Sequence, residues 1–190
     1  MQTHKGEIEQ KIISGCVKGD IKYQEMLYRK FYAYGMSITL RYTKNRDEAA
    51  EVLNDSFLKV FENIKKYQPD RLFKNWFRQI TVNTSIDHYR RTKRMIITED
   101  IEDHQNYSFD PEKINEMEAE EILLMLNSIP EHYRIIFNLY EIEGYDHNEI
   151  GEMLNISDST SRANLSRAKK MLRELFEKQY NNAYAGVIRS

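Results

Sequence analysis

Apolar residues recur at steps of three and four residues in one segment of this chain after another. The clearest stripe consists of Tyr23, Leu27, Phe31, Tyr34, Ile38 and Tyr42. This spacing places such residues on one face of an α-helix. Only three prolines and seven glycines interrupt the 190 residues, and these are the residues that most often break helices. We therefore predict an all-α fold in which each helix buries one face.

Charge is distributed unevenly along the chain, although the formal net charge is only -2. Residues 71–97 carry seven bases and one acid, residues 98–121 carry ten acids and one base, and residues 162–178 carry six bases and two acids. The acidic block contains Pro111 and shows no clear apolar period, which indicates a linker. We therefore predict two small helical domains, at 1–97 and 114–178, joined by an acidic linker at 98–113 and followed by a tail at 179–190.

Several classes of protein are disfavoured by what the sequence lacks. The single cysteine, Cys16, cannot form an internal disulfide. The first residues, MQTHKGEIEQ, do not resemble a secretory signal, and no stretch approaches the roughly 18 apolar residues of a membrane span. We expect a cytoplasmic protein without membrane insertion. The five histidines are scattered and no catalytic motif is present, so we expect no enzymatic activity, no cofactor and no metal site.

The predicted helix from about Asp47 to Lys65 has an acidic face opposite its apolar face. Its acidic residues are Glu48, Glu51, Asp55 and Glu62, and Asn54 and Leu58 lie at the edge of this stripe. A solvated helix surface explains the pattern, because single exposed leucines are common. A docking surface for a basic partner explains it equally well.

The residues from about Asn148 to Lys178 predict a helix-turn-helix. Asn155 suits the turn because asparagine tolerates a left-handed backbone, and Ser157 suits the N-cap of the second helix. The outward side of that second helix carries small, hydroxyl and basic residues: Ser159, Thr160, Arg162, Ala163, Ser166, Arg167 and Lys170. These side chains fit the major groove of DNA, where arginine pairs with guanine and lysine neutralises phosphate. A solvated basic helix on the surface of a helical bundle is the alternative explanation.

Taken in order, these elements resemble the sigma-70 family of RNA polymerase sigma factors, and within it the small extracytoplasmic-function (ECF) group. Three stretches carry the resemblance: DEAAEVLNDSFLKVFENI at 47–64, KNWFRQITVNTSIDHYRRTKR at 74–94, and the segment from LNSIPEHYR to MLREL at 126–175. They are similar to the family's clamp-binding helix, its minus-10 helix and its minus-35 reader. The chain departs from the common pattern at Asn54, where glutamine is usual, and at Ser161, Ala163 and Asn164, where bulkier or apolar residues are frequent.

The resemblance implies a bacterial transcription initiation factor. Such a factor binds core RNA polymerase at the beta-prime clamp and the beta flap, and it recognises the minus-10 and minus-35 elements of promoter DNA. The polymerase contacts implied here are Glu51, Asn54, Asp55 and Leu58. The implied minus-10 contacts are Lys66, Tyr67, Gln68, Asn83, Asp87, Arg90, Arg91, Lys93 and Arg94. The outward residues of the helix-turn-helix would read the minus-35 element, and an anti-sigma factor is a further partner that the family commonly uses.

Two other classes account for part of the pattern. Another helix-turn-helix regulator, with a sensing or dimerising domain in front, explains the second domain but not the basic helix at 74–94. A pure protein-interaction module explains the acidic stripe but not the two basic blocks. Binding of promoter DNA by the chain alone, as opposed to binding only with core polymerase, separates the first alternative from a sigma factor.

Overall fold

A computed structural model describes the backbone of residues 2–96 and 119–187, and the side chains of residues 9–93 and 121–178. Its elements are α1 (Gln2–Val17), α2 (Ile21–Thr39), α3 (Arg46–Asn63), a 3-10 turn (Ile64–Lys66), α4 (Phe73–Ile96), α5 (Ala119–Asn127), α6 (Glu131–Phe137), a π-helical segment (Asn138–Glu143), α7 (His147–Leu154) and α8 (Asp158–Val187). The predicted all-α fold is confirmed. The chain divides into two compact units after Thr92, and the predicted linker at 98–113 lies outside the described residues.

Aromatic side chains form the centre of the first unit. Phe77 of α4 is fully buried, and its ring lies 5.6 Å from that of Phe31 on α2 and 5.0 Å from that of Phe57 on α3. Gly35 lets α2 approach α3 closely, because a Cβ there would stand 2.3 Å from Cδ1 of Leu53. The core therefore fixes how α3 and α4 present their outer faces.

Polar side chains begin the helices of this unit. Asp20 follows Gly19 and has the residue type of an N-cap, which predicts the role that it has: it caps α2 by accepting a hydrogen bond from the backbone N–H of Lys22. The cap of α3 is Asn45, whose side chain accepts from the N–H of Glu48 at 2.8 Å. The helix begins at Arg46, one residue before the predicted start, because this cap satisfies a free N–H of the first turn.

The second unit buries Ile135, Leu139, Ile150, Leu165 and Ala168. Ile135, Ile136, Leu139 and Ile142 recur at helical spacing and predict one helix across 130–143, with Pro130 in its first turn, but the structure interrupts this helix. Pro130 is the N-cap residue, with an extended ψ of 139°, and α6 changes at residue 138 into the π-helical segment. That segment ends at Gly144, which has a left-handed φ of 83° and thus a conformation that favours glycine.

Candidate functional site

The outer face of α3 presents the four residues predicted to contact polymerase. Leu58 is 60% exposed, which is unusual on a helix whose other apolar residues are mostly buried. Glu51 and Asn54 are exposed beside it, and Asp55 is half-buried. The hydroxyl of Tyr28 donates to Oδ1 of Asn54 at 3.0 Å, so α2 orients the amide. The four residues form one surface with an apolar centre and a polar edge.

Two ion pairs join α3 to α4. Arg91 Nη2 lies 3.5 Å from Asp55 Oδ2, and Lys59 Nζ lies 2.9 Å from Asp87 Oδ2. The sequence placed Asp55 in one predicted surface and Asp87 and Arg91 in another, and the structure brings them together. Lys59 was missed altogether. The i,i+4 spacing on each helix was visible in the sequence, but their pairing depends on the packing of α3 against α4.

The connector between α3 and α4 holds three predicted minus-10 residues in different settings. Tyr67 is half-buried; its ring centroid lies 5.5 Å from that of Phe73 and 5.4 Å from that of Trp76, and its hydroxyl donates to the carbonyl of Arg71. Burial, followed by the charges of Glu9 and Asp70, raises the pKa of Tyr67. Lys66 Nζ donates to Oδ1 of Asn63 at 2.8 Å.

The remaining minus-10 candidates lie on exposed positions. Gln68 is exposed in the connector, and Asn83, Asp87, Arg90, Arg91 and Lys93 are exposed along α4. The side chain of Arg94 lies outside the described residues, although its backbone continues the helix. Asp87 lies four residues after Asn83, and Arg90 and Arg91 follow three and four residues after Asp87, so these four residues lie on one face of α4.

In the second unit, α7 and α8 form the predicted helix-turn-helix. Asp146 begins α7 with a capping box, since its side chain accepts from the N–H of Glu149 at 2.9 Å and Glu149 Oε2 accepts from the N–H of Asp146 at 2.8 Å. Asn155 ends α7 in the left-handed region, with a φ of 56°, as predicted. The sequence D-x-x-E could have identified the capping box.

Gly151 is required for the turn between these helices. The N–H of Ile156 donates to the carbonyl of Gly151 at 3.0 Å, which folds the chain back onto α7. A Cβ at Gly151 would stand 2.8 Å from the carbonyl oxygen of Ile156, a backbone atom that cannot move without opening the turn. The missing side chain of Gly151 therefore allows the turn before α8 to pack directly against α7.

Hydroxyl groups organise the start of α8. Ser157 Oγ accepts from the N–H of Thr160 at 3.1 Å, which confirms its predicted role as N-cap. The same oxygen lies 2.9 Å from Ser159 Oγ and 2.8 Å from Thr160 Oγ1. The two outward hydroxyls are therefore held in a network at the first turn.

Ser161 has a structural partner that the sequence did not reveal. Its side chain is fully buried, and its Oγ lies 2.9 Å from Nδ1 of His147. The His147 ring in turn stacks on Tyr140, with centroids 4.5 Å apart. The hydroxyl at this inward position thus links α8 to α7, and a buried polar group has the hydrogen bond that it needs.

The seven predicted minus-35 residues all lie on the exposed side of α8. Arg162 forms a two-bond ion pair with Asp158, at 3.2 and 2.9 Å. Arg167 Nη1 lies 3.5 Å from Asn164 Oδ1, and Lys170 Nζ lies 3.9 Å from Glu174. Asp158 was missed in the sequence, although its i,i+4 spacing to Arg162 is a recognisable signal for a helical ion pair.

Within the parts of the chain that the structure describes, no helix is long and apolar enough to cross a membrane. Those parts also contain no cluster of three or more histidine, cysteine, aspartate or glutamate side chains that could hold a metal ion.

Comparison with known families gives two matches. Residues 27–95 match the family profile for sigma-70 region 2, and residues 119–172 match the profile for sigma-70 region 4. The first match covers most of α2 to α4 and the second covers α5 to the middle of α8, so together they span more than half of the chain.

Individual relatives agree with these profiles. The chain is 28% identical to the ECF RNA polymerase sigma factor SigE of Mycolicibacterium smegmatis over 74% of its own length and 56% of that relative's length. It is 27% identical to the ECF RNA polymerase sigma-E factor of Haemophilus influenzae over 86% of its own length and 93% of the relative's. Its fold resembles that of RpoE from Bartonella quintana, solved in complex with the anti-sigma factor NepR, with a TM-score of 0.53, 16% identity, and coverage of 80% and 96% of the two chains.

Proposed function

The chain belongs to the sigma-70 family and is an ECF sigma factor that directs RNA polymerase to promoters, and from this we propose which of its surfaces make the individual contacts. It is a transcription initiation factor and not an enzyme. One observation supports this assignment of surfaces. The residues predicted to bind polymerase lie on α3 and include two acids and a leucine, whereas the exposed basic residues predicted to bind DNA lie mainly on α4 and α8. We place its action in the cytoplasm, where promoter DNA is found.

We assign the beta-prime clamp contact to Glu51, Asn54, Asp55 and Leu58. An exposed leucine with polar neighbours has the composition of a protein interface, in which an apolar centre is surrounded by a polar rim. The carboxylates of Glu51 and Asp55 favour a basic partner surface. For the second domain, we assign the beta flap contact to α5, where Ile122 and Leu124 are exposed.

We assign capture of the melted minus-10 strand to the connector and α4. The half-buried rings of Tyr67 and Trp76 lie side by side, and aromatic rings support unstacked bases. The exposed Asn83 and Asp87 can bond base edges, and the exposed arginines that follow can bind phosphates. Extruding a base costs a few kcal/mol, which such a fitted site must offset.

We assign minus-35 recognition to the exposed side of α8. A helix-turn-helix places its second helix in the major groove, with the N-terminal part of that helix at the base edges. Here that part carries Ser159, Arg162 and Ala163, which are followed by Ser166 and Arg167. Small residues permit close approach, and the cations supply contacts to guanine and to phosphate.

We also propose that an anti-sigma factor binds this chain, as NepR binds RpoE in the structure of similar fold. Helix faces that are exposed in the free chain, including that around Leu58, offer such an inhibitor the surface that polymerase would otherwise occupy.

Reconstituted transcription tests the proposed function. We expect the purified chain to co-elute with core RNA polymerase and to direct run-off transcription from a subset of a promoter library. We expect the chain alone to bind the same duplex promoters far more weakly. Strong sequence-specific binding by the chain alone, without association with core polymerase, would favour the alternative helix-turn-helix regulator.

Arg167→Ala is expected to reduce discrimination at one minus-35 position by about 1–3 kcal/mol, because a bidentate base contact is lost. Lys170 is the matched comparison, since it is also an exposed cation of α8. Lys170→Ala should weaken all sequences about equally and reduce the salt slope by about 0.9. Binding of the two variants to matched and mismatched promoters in polymerase complexes measures both effects. Unchanged selectivity of the Arg167 variant would show that α8 is oriented differently.

A further inference from the structure

Asp158 gives α8 a feature that lies outside the DNA contacts assigned above. It is the first residue of α8, and Arg162 follows one turn later. Nε of Arg162 donates to Oδ1 of Asp158 at 3.2 Å, and Nη2 donates to Oδ2 at 2.9 Å. The carboxylate therefore occupies one complete edge of the guanidinium plane.

The geometry of this pair determines which donors of Arg162 are left to read DNA. A guanidinium carries five N–H groups in one rigid plane. Two of them face Asp158, so both N–H groups of Nη1 and the second N–H of Nη2 are directed away from the carboxylate. One N–H from each of these two nitrogens gives a pair of parallel donors, which matches the O6 and N7 acceptors of guanine.

We propose that Asp158 is a positioning residue that holds Arg162 end-on towards the guanine of one base pair in the minus-35 element. The inference rests on the proposed function, because it requires the exposed side of α8 to lie in the major groove. It adds a residue that touches no base itself and determines specificity through its neighbour.

Stability alone does not account for the pair. The side chains of Arg162 and Asp158 are 61% and 40% exposed, and exposed ion pairs at this spacing add little to stability. The pair does restrict the Arg162 side chain, which would otherwise lose rotamer freedom on binding DNA. The hydrogen bond from Arg162 also lowers the pKa of Asp158, so the carboxylate, already charged at neutral pH, stays charged to lower pH.

The pair also changes what Arg162 contributes to binding. An arginine without a carboxylate partner attracts any phosphate, whereas the charge of Arg162 is largely compensated by Asp158. The ion pair of Lys170 with Glu174 is longer, at 3.9 Å, and leaves the charge of Lys170 more available to the backbone of DNA. Arg162 is thereby suited to discrimination between bases more than to general affinity.

The test uses complexes of core polymerase with the full chain and promoters randomised in the minus-35 element. We expect Arg162→Ala to lose preference for guanine at one position by about 5- to 150-fold, the range for one bidentate contact. Asp158→Ala should reduce the preference for guanine at the same position by about tenfold, because Arg162 without its partner keeps only part of the base contact. Asp158→Glu, which can still reach Arg162, should retain most of the preference.

Affinity for random duplex DNA separates a positioning role of Asp158 from a merely structural one. Because Asp158→Ala removes a negative charge beside Arg162, affinity for random duplex DNA should rise and its salt slope should steepen by up to about 0.9. Glu152→Gln is the matched control, since Glu152 is an exposed acid beside the same turn. It removes a charge without touching Arg162, and we expect it to leave the guanine preference unchanged.

The outcomes are distinguishable. If Asp158→Ala weakened all sequences together and lowered the unfolding temperature, Asp158 would only stabilise the start of α8, and the inference would be overturned. If the wild type preferred guanine at the position read by Arg162 and Asp158→Ala did so equally, the inference alone would fail. If the wild-type complex showed no minus-35 preference at all, the proposed function would fail first.

Discussion

Leu58→Asp is expected to weaken binding of core RNA polymerase by at least about 30-fold, which corresponds to about 2 kcal/mol. Leu58 is 60% exposed, so the substitution removes little from the folded core and should leave the free energy of unfolding nearly unchanged. In the proposed interface, however, an aspartate at the apolar centre would be desolvated beside Glu51 and Asp55. Buried charges without a partner are costly.

Titration of labelled core polymerase with the wild type and with Leu58→Asp measures this loss of affinity, and run-off transcription should fall in parallel. Ile21→Asp is a matched control, because Ile21 is also a highly exposed apolar residue, at 79%, and lies at the start of α2 outside the proposed interface. We expect it to bind like the wild type. Full affinity of Leu58→Asp, or an equal loss in Ile21→Asp, would place the polymerase contact elsewhere.

Phe77→Ala is expected to lower the free energy of unfolding of the first unit by about 3–5 kcal/mol. The Phe77 side chain is fully buried, and its ring contacts those of Phe31, Tyr34, Phe57 and Phe73. Truncation leaves a cavity where three helices meet. The loss is a large part of the 5–15 kcal/mol that stabilises a typical domain, so polymerase binding should also fall as α3 and α4 lose their support.

The single tryptophan of the chain allows this prediction to be tested in one unit. Trp76 lies in α4, with its ring 5.7 Å from that of Phe73, so its fluorescence reports unfolding of the first unit. We expect the denaturant midpoint of this signal to decrease strongly in Phe77→Ala. Phe176→Ala, which truncates a 58% exposed ring of the second unit, should leave the Trp76 midpoint unchanged. A similar midpoint for Phe77→Ala and wild type would contradict the packing described here.

The apolar period was sufficient to predict the helices, because the period of an α-helix is a local property of the chain. Asp20, Asn155 and Ser157 were likewise identified as helix caps from their residue types, since a cap needs only the neighbouring backbone. The predicted single helix across 130–143 was wrong in detail. A π-helical segment differs from an α-helix by one residue in a turn, and the apolar pattern does not show where that residue is inserted.

Contacts between helices were not predictable in the same way. The pairing of Asp55 with Arg91 joins residues 36 positions apart, and that of Lys59 with Asp87 joins residues 28 apart. The buried contact of Ser161 with His147 likewise requires α7 and α8 to be packed. Asp158 and Arg162, in contrast, are four residues apart, so their pairing was within reach of the sequence.

Residue types and their local spacing were thus enough to predict an all-helical chain with two domains, because helix period and capping depend on neighbours along the chain; the prediction of a sigma factor came from the resemblance of three stretches to that family. Which side chains share a surface was settled by packing alone, since an ion pair or buried hydrogen bond between helices depends on the angle and register at which those helices meet. Which edge of the Arg162 guanidinium Asp158 leaves open is likewise a property of side-chain geometry, which no spacing rule specifies.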